Sequence, residues 1–396
     1  MARIQTEPFV RKNWLIIGSN AAMFVYGVVL ALLGSILPLM GERIHLDLAQ
    51  AGNLFLGMNF AMLVSMVGLG VLMDWMGKKP ILIAGSLVVA LSLLLINRAS
   101  SYTAVLVGVV LLGIGGGALN GAANTLVADL ERDPRGKASA LNLLGVYFGF
   151  GALSLPFIMG AGIKGLGLAP ILYLALVLAL VPNFVFIGLT FPPLPTRRTS
   201  LWAESVQLVR NPVVLLLGSL LFFESGNEFI VGGYASTYFK SNMGSSISVA
   251  SYILSGYWAA MMAGRVISSR LLLRMNSLTL VKVSALGSAI AGLVLLLATS
   301  TLAAIAGVVL LGLSFASIFP TSLGMASSRF EAYSGTVFGI LFGIALSGGM
   351  TLPWAVGQFS ARHGLHAGLG VVIVNALLIL ILQHFIQPPK NGIPKM

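Results

Sequence analysis

The chain has 396 residues, 57% of them hydrophobic and 9% charged, with a mean hydropathy of +0.97. A soluble domain has no use for that much apolar surface, so the composition points to a polytopic membrane protein. The net charge is +12 and there is no cysteine, which excludes disulfides, thiolate metal sites and a cysteine nucleophile.

Twelve apolar segments long enough to cross a bilayer as helices follow one another: 14–40, 48–73, 79–97, 103–128, 138–163, 168–191, 213–240, 247–270, 278–299, 302–327, 333–360 and 366–387. Continuous runs of this length, rather than short alternating ones, argue against a β-barrel. The abundant glycine, 47 residues, suits close helix packing in lipid. The first run is too long for the h-region of a signal peptide and leads directly into further spans, so no cleavable leader is expected. With the N-terminus in the cytoplasm, 18 of the 23 Lys and Arg fall inside, and Arg43, Arg98, Lys164, Lys240 and Arg362 fall outside. This positive-inside bias explains the basic charge as topology, not nucleic-acid binding, and the even span count puts both termini in the cytoplasm.

The sequence also repeats itself. VVLLG at Val109–Gly113 returns at Val308–Gly312, 199 residues later, and LPFIMG at Leu155–Gly160 returns as LPWAVG at Leu352–Gly357, 197 residues later. Both offsets are close to half the chain. The expected fold is therefore an all-α polytopic membrane protein, with twelve transmembrane helices in two pseudo-symmetric six-helix bundles. The bundles are residues 1–191 and 213–396, joined by a cytoplasmic linker, 192–212, with a short surface helix at 200–209. Two similar halves facing each other enclose a cavity that rocking opens to each side in turn, which is a transporter's architecture.

Of the 11 acidic residues, only Glu224 and Glu228 lie deep inside a span. Glu224 is 11 residues beyond Val213, about 16 Å along the helix axis and near the midplane. Glu228 follows one turn later on the same face. An ionisable side chain inside a bilayer is costly and marks a binding site or an ion path by default. Two carboxylates one turn apart in a low dielectric resist ionising together. That suits a coupling group that takes up and releases a proton, or a pair that holds a cation. The competing reading is one protonated Glu bonded to a neighbouring helix.

The neutral polar candidates for solute contact are Asn20 on span one, Asn59 on span two, Asn120 and Asn124 on one face of span four, and Asn142 and Tyr147 on span five. Asn227 and Tyr234 on span seven and Tyr257 and Trp258 on span eight complete the set. Amides offer both donors and acceptors to hydroxyl groups, and the aromatic rings can stack on a sugar ring. The competing role for the amides is interhelical glue, often worth only ~1 kcal/mol. Arg265 is the one basic residue clearly inside a span end. It either snorkels to the cytoplasm or pairs with a gating acid such as Asp129. The four histidines lie at segment ends without metal-ligand spacing, GIGGG at Gly113 sits inside an apolar span, and there is no Walker lysine. No cofactor, no metal and no enzymatic activity are expected.

Between spans two and three stands Gly70-Val-Leu-Met-Asp74-Trp-Met-Gly77-Lys78-Lys79. It resembles the GxxxDxxGRK loop of the major facilitator superfamily. In that family the loop is a conformational latch and not a substrate contact, so the resemblance makes Gly70, Asp74, Gly77 and Lys78 gating candidates. In the second half, SRLLLRMN at Ser269–Asn276 is a degenerate copy in which Leu273 stands in place of Asp74.

GIGGGALNGAANTLV at Gly113–Val127, LNLLGVYFGFGALSLPF at Leu141–Phe157, SGNEFIVGGYASTYF at Ser225–Phe239 and FASIFPT at Phe315–Thr321 together look like the fucose permease and sodium-glucose facilitator branch. This resemblance implies secondary-active transport of a monosaccharide or polyol by alternating access, coupled to H⁺ or Na⁺. The acid that the fucose permease carries on span one is absent here, where Asn20 is the main polar group, so its coupling chemistry does not carry over. An exporter of drugs, metabolites or lysolipids in the same fold is the alternative. A non-transporting sensor would need an extra cytoplasmic domain. The expected partners are a small-molecule substrate, the coupling ion and the lipid bilayer, with no nucleic acid. The chain is expected to be a monomer in a bacterial inner membrane.

Overall fold

The computed structural model describes residues 7–130, 134–192, 207–330 and 333–386, apart from the side chains of 7–11, 67, 70, 71, 74, 134–139, 142, 334 and 335. Among the described residues no strand occurs. In chain order the helices are α1 (Glu7–Ile44), α2 (Leu48–Met76), α3 (Lys78–Arg98), α4 (Tyr102–Leu130), α5 (Pro134–Leu166), α6 (Leu168–Phe186) and α7 (Pro212–Ser241). They continue with α8 (Ile247–Leu271), α9 (Ser277–Leu296), α10 (Thr301–Phe315), α11 (Ile318–Arg329), α12 (Ser334–His363), α13 (Leu365–Leu369) and α14 (Val371–His384). Eleven stretches of helix among the described residues are long and apolar enough to cross a membrane. The remaining expected span, α8, has the length, but Ser248, Ser251, Ser255, Arg265, Ser268 and Arg270 dilute its apolar content.

Local chemistry sets the helix ends. Asp47 opens α2 with a reciprocal capping box, its carboxylate accepting from the Gln50 backbone N–H at 2.6 Å. Asn211 caps α7 by accepting from the Val213 N–H, and Pro212 fills the first helical position, where no donor is needed. Asn276 and Ser300 cap α9 and α10 in the same way.

Two expected spans are interrupted. Segment 302–327 breaks at Ala316–Ser317, between α10 and α11. Pro320 has no N–H to offer the Ala316 carbonyl, so the helical ladder loses that rung. Segment 366–387 breaks at Gly370, between α13 and α14. The sixth expected span ends early, at Phe186. Lys79 Nζ donates to the Ile187 and Leu189 carbonyls at 2.8 and 3.0 Å, supplying donors where the helix stops. The expected surface helix at 200–209 falls mostly outside the described residues.

The chain divides into two compact units, Met1–Arg198 with Ser245–Ser255, and Thr199–Gly244 with Gly256–Met396. In the first, α1 packs along α5, and α4 packs against α2 and α3. In the second, α7 packs along α12 and also against α14, and α9 packs against α10 and α14. The same backbone approaches recur in both. A side chain on Gly151 would collide with the Phe24 carbonyl where α5 crosses α1, and one on Gly348 with the Phe222 carbonyl where α12 crosses α7. These contacts repeat at offsets of 197 and 198 residues, so the repeat in the sequence is also a repeat in packing.

Candidate functional site

Helix α7 presents three faces. Gly218 and Gly226 lie against Ile344 and Leu352 of α12. Asn227 faces α14, donating to the Val372 carbonyl at 3.2 Å and accepting from Asn375 Nδ2 at 2.8 Å. The face carrying Glu224, Glu228 and Gly232 is turned toward α8. There the Tyr257 hydroxyl reaches the Glu228 carbonyl at 3.5 Å, and the Trp258 ring packs over Gly232.

Glu224 is 1% exposed and receives a hydrogen bond from Ser225 Oγ at 3.3 Å. Glu228, one turn on, is partly buried. The two carboxyls act on each other electrostatically, and the guanidinium of Arg265, two turns beyond Tyr257 on α8, acts on both. Tyr257 feels all three charges. With two acids and one base, the cluster needs a single proton to become neutral. Every additional charge inside low-dielectric surroundings is heavily penalised. The second unit thus places two carboxyls and a guanidinium within electrostatic reach of one another.

The other polar candidates of this unit are bonded to helices. Asn227 joins α7 to α14, and Tyr234, fully buried, donates to the Pro353 carbonyl of α12 at 3.0 Å. Trp258 and Tyr257 form an edge-on pair with ring centroids 5.3 Å apart.

In the first unit, Asn124 Nδ2 donates to Asn120 Oδ1 at 2.8 Å, so the two amides on the α4 face form one group. Its neighbours are thioethers. Asn124 Nδ2 lies 3.8 Å from the Met23 sulfur, and Asn120 Nδ2 lies 3.9 Å from the Met66 sulfur. The Tyr26 hydroxyl donates to the Met62 sulfur at 3.6 Å. Asn59, fully buried, donates to the Phe55 carbonyl of its own helix. Asn20 and Tyr147 are brought together elsewhere, in a cavity of about 240 Å³ lined by Ile17, Asn20, Ala21, Phe24, Tyr147, Leu178 and Val181. The side chain of Asn142 lies outside the described residues.

Of the gating candidates, Lys78 at the start of α3 pairs with Asp129 at the end of α4. Gly77 between α2 and α3 has a φ of +83°, a left-handed turn that suits glycine. Gly70 and Asp74 lie on α2, with the Asp74 side chain outside the described residues. Leu273, which replaces Asp74 in the second half, is 82% exposed.

Sequence reasoning missed two associations. It weighed Arg265 as snorkelling or as pairing with a gating acid such as Asp129, and did not consider Glu224 and Glu228, on which its charge acts. The signal was available, since a basic side chain inside a span generally seeks a partner there. The thioethers around Asn120 and Asn124 come from α1 and α2, and nothing in local spacing brings those helices to α4.

The sequence profile of the Major Facilitator Superfamily matches residues 20–353. An uncharacterized transporter, y4wD, of Sinorhizobium fredii is 23% identical over 374 residues, covering 92% of this chain and 96% of that relative. Among solved structures, the D-xylose-proton symporter superposes with a TM-score of 0.80 at 14% identity, covering 96% of this chain and 99% of that one. The nucleoside transporter NupG gives 0.77 at 14% identity, over 94% and 98%. A bacterial homolog of the human lysosomal transporter Spinster, inward-facing and unoccupied, gives 0.75 at 14% identity, over 94% and 96%. At these identities the likeness is one of fold.

Proposed function

Because the chain belongs to the Major Facilitator Superfamily, and is therefore an integral membrane transporter and not an enzyme, we propose that it moves a small polar solute by alternating access with proton coupling at Glu224 and Glu228. The observation that carries this reading is Glu224, 1% exposed, with a second carboxyl, Glu228, one turn further along the same apolar helix. A cluster of two carboxyls and one guanidinium alternates between a net charge of −1 and neutrality with one proton, and only the neutral form crosses a closed, dry state at modest cost. Glu224, the more deeply buried acid, is the proton carrier. Glu228, partly exposed, remains the partner of Arg265. Sodium in place of the proton is the variant of this reading in which the pair holds a small cation.

The solute is a monosaccharide or polyol. The support is the paired amides Asn120 and Asn124, which offer donors and acceptors to hydroxyl groups on one face of α4. The D-xylose-proton symporter is a fold relative whose name joins a sugar to a proton. The protein works as a monomer of two repeated halves, 1–191 and 213–396, in a bacterial inner membrane with both termini in the cytoplasm.

One observation favours the second reading, an exporter of amphipathic compounds. The Asn120–Asn124 group lies against two thioethers, those of Met23 and Met66. Methionine adapts its shape and is common at surfaces that accept varied apolar ligands.

The deciding experiment is counterflow and gradient-driven accumulation in proteoliposomes with a panel of labelled sugars, with and without a pH or sodium gradient. Sugar accumulation that requires the pH gradient and is lost in Glu224→Gln supports the first reading. No sugar movement under any gradient overturns it, and proton-driven expulsion of lipophilic compounds then takes its place.

A further inference from the structure

Met58, Met62 and Met66 stand one turn apart on a single face of α2. The first two are fully buried and the third is half-buried. Here α2 runs close against α4: a side chain on Gly113 or Gly117 would collide with the Met58 or Met62 carbonyl. The sulfur of Met66 lies 3.9 Å from Asn120 Nδ2. From α1, the sulfur of Met23, a residue 5% exposed, lies 3.8 Å from Asn124 Nδ2. A hydrogen bond of 2.8 Å joins the two amides, so thioethers from two helices bear on one polar group.

Methionines fill irregular gaps in many cores. Two features set this pair apart. Asn120 Nδ2 has only the Met66 sulfur, a weak acceptor, as its partner among the described residues. Asn124 Oδ1 accepts no hydrogen bond among the described residues, although Asn124 Nδ2 donates to Asn120. That oxygen belongs to a half-buried residue and is not sealed from its surroundings. Two sulfurs and one open amide oxygen thus offer uncharged lone pairs around a single amide pair.

The donor set selects the ligand. Thioethers favour soft cations, Cu(I) above all, whereas Mg²⁺, Ca²⁺ and Mn²⁺ favour carboxylates, carbonyls and water. Zn²⁺ takes thiolates, imidazoles and carboxylates, and no cluster of such groups occurs among the described residues. With neutral ligands only, a single positive charge is the cheapest to bury. The three rotatable bonds of each methionine let its sulfur close on an ion.

We propose that Met23 Sδ, Met66 Sδ and Asn124 Oδ1 form a binding site for a soft monovalent cation of the Cu(I) or Ag(I) class. Asn120 is a positioning residue: its Oδ1 holds Asn124 Nδ2 and so leaves the Asn124 oxygen open. Met62, one turn before Met66 and carrying the Tyr26 hydroxyl on its sulfur at 3.6 Å, is the next thioether along α2. The site goes beyond the solute reading and stands whether or not Glu224 carries a proton.

The test is equilibrium dialysis of Ag⁺ against the full, tag-free chain in nanodiscs, in chloride-free buffer, with silver K-edge X-ray absorption on the complex. The chain has no cysteine, so sulfur bound to silver can come only from methionine. The expected result is one Ag⁺ per chain with sulfur in its first shell, not displaced by a tenfold excess of Zn²⁺ or Na⁺. Met23→Leu and Met66→Leu each weaken binding at least tenfold, and the double variant removes the sulfur signal. Leucine replaces methionine with little disturbance of packing, and the two single variants decide the matter if the double variant is not monodisperse. Asn124→Ala weakens binding at least threefold. Met159→Leu, at a fully buried methionine on α5, leaves it unchanged. No binding, a first shell without sulfur, or losses in Met23→Leu and Met66→Leu no greater than in Met159→Leu overturn the site. Binding is read at equilibrium without flux, so a failed sugar-transport assay does not bear on the result.

Discussion

The Tyr257 hydroxyl lies 3.5 Å from the Glu228 carbonyl, at the long end of hydrogen-bond range, which sets the helix that carries Arg265 beside the helix that carries both acids. The contact is made to backbone, so the relation of the two helices survives changes in the charge of either carboxyl. The Arg265 guanidinium and the two carboxyls can therefore be altered one at a time.

Arg265→Gln leaves two acids facing each other without a base. Breaking a buried charge pair from one side costs on the order of 3–5 kcal/mol, and the expected result is a clear fall in thermal stability with loss of gradient-driven accumulation. Glu228→Gln combined with Arg265→Gln removes a pair and restores much of the stability, while Glu224→Gln combined with Arg265→Gln does not restore accumulation. Thermal unfolding in nanodiscs and flux in proteoliposomes check both. Equal behaviour of the two double variants would show that the acids are interchangeable.

Asn227→Ala removes the bond to the Val372 carbonyl and orphans Asn375 Nδ2. Interhelical hydrogen bonds in membranes are worth about 0.6 kcal/mol on average and up to about 2. The expected loss of stability is ~1–2 kcal/mol, with the solute KM unchanged within twofold. A large rise in KM at unchanged stability would make Asn227 a solute contact.

Gly348→Leu forces a side chain into the Phe222 carbonyl, and Gly151→Leu does the same at Phe24. Overpacking a tight site costs ~1–3 kcal/mol, occasionally more, and here the obstacle is backbone, which cannot rotate away. Both variants are expected to lose monodispersity in size-exclusion chromatography. Gly68→Leu, where a side chain meets open space, serves as the tolerated control.

Lys78 and Asp129 form a pair whose side chains are 12 and 44% exposed. Pairs this wet contribute ~0–1 kcal/mol, so a double-mutant cycle of Lys78→Gln and Asp129→Asn should return a coupling energy below about 1 kcal/mol. Any larger effect is expected in transport rate, measured as the ratio of accumulation to exchange, since a latch acts on the balance of conformations and not on folding.

Much of this protein was legible in the order of its residues. Runs such as Ile81–Ile96 and Leu293–Leu296 require lipid or a dry interior whatever their neighbours. The repeat from Val109 to Val308 announced two like halves, and Gly113 and Gly312 turn out to make the same close approach to a preceding helix, at Met58 and Tyr257. Glu224 and Glu228 declared themselves because a carboxylate amid apolar residues is costly irrespective of packing. Partner choice was not legible. Asn227 and Asn120 are the same residue type in similar apolar helices, yet one binds α14 and the other sits among thioethers. Arg265 could be read toward solvent or toward an acid until α8 lay beside α7. The recess that Asn20 and Tyr147 help to line exists only where α1, α5 and α6 leave a gap. Hydropathy and charge are properties of a segment, so the sequence by itself determined the spans and their chemistry. Which polar groups find each other depends on helix rotation and on distances across many residues, and only the tertiary structure decided that.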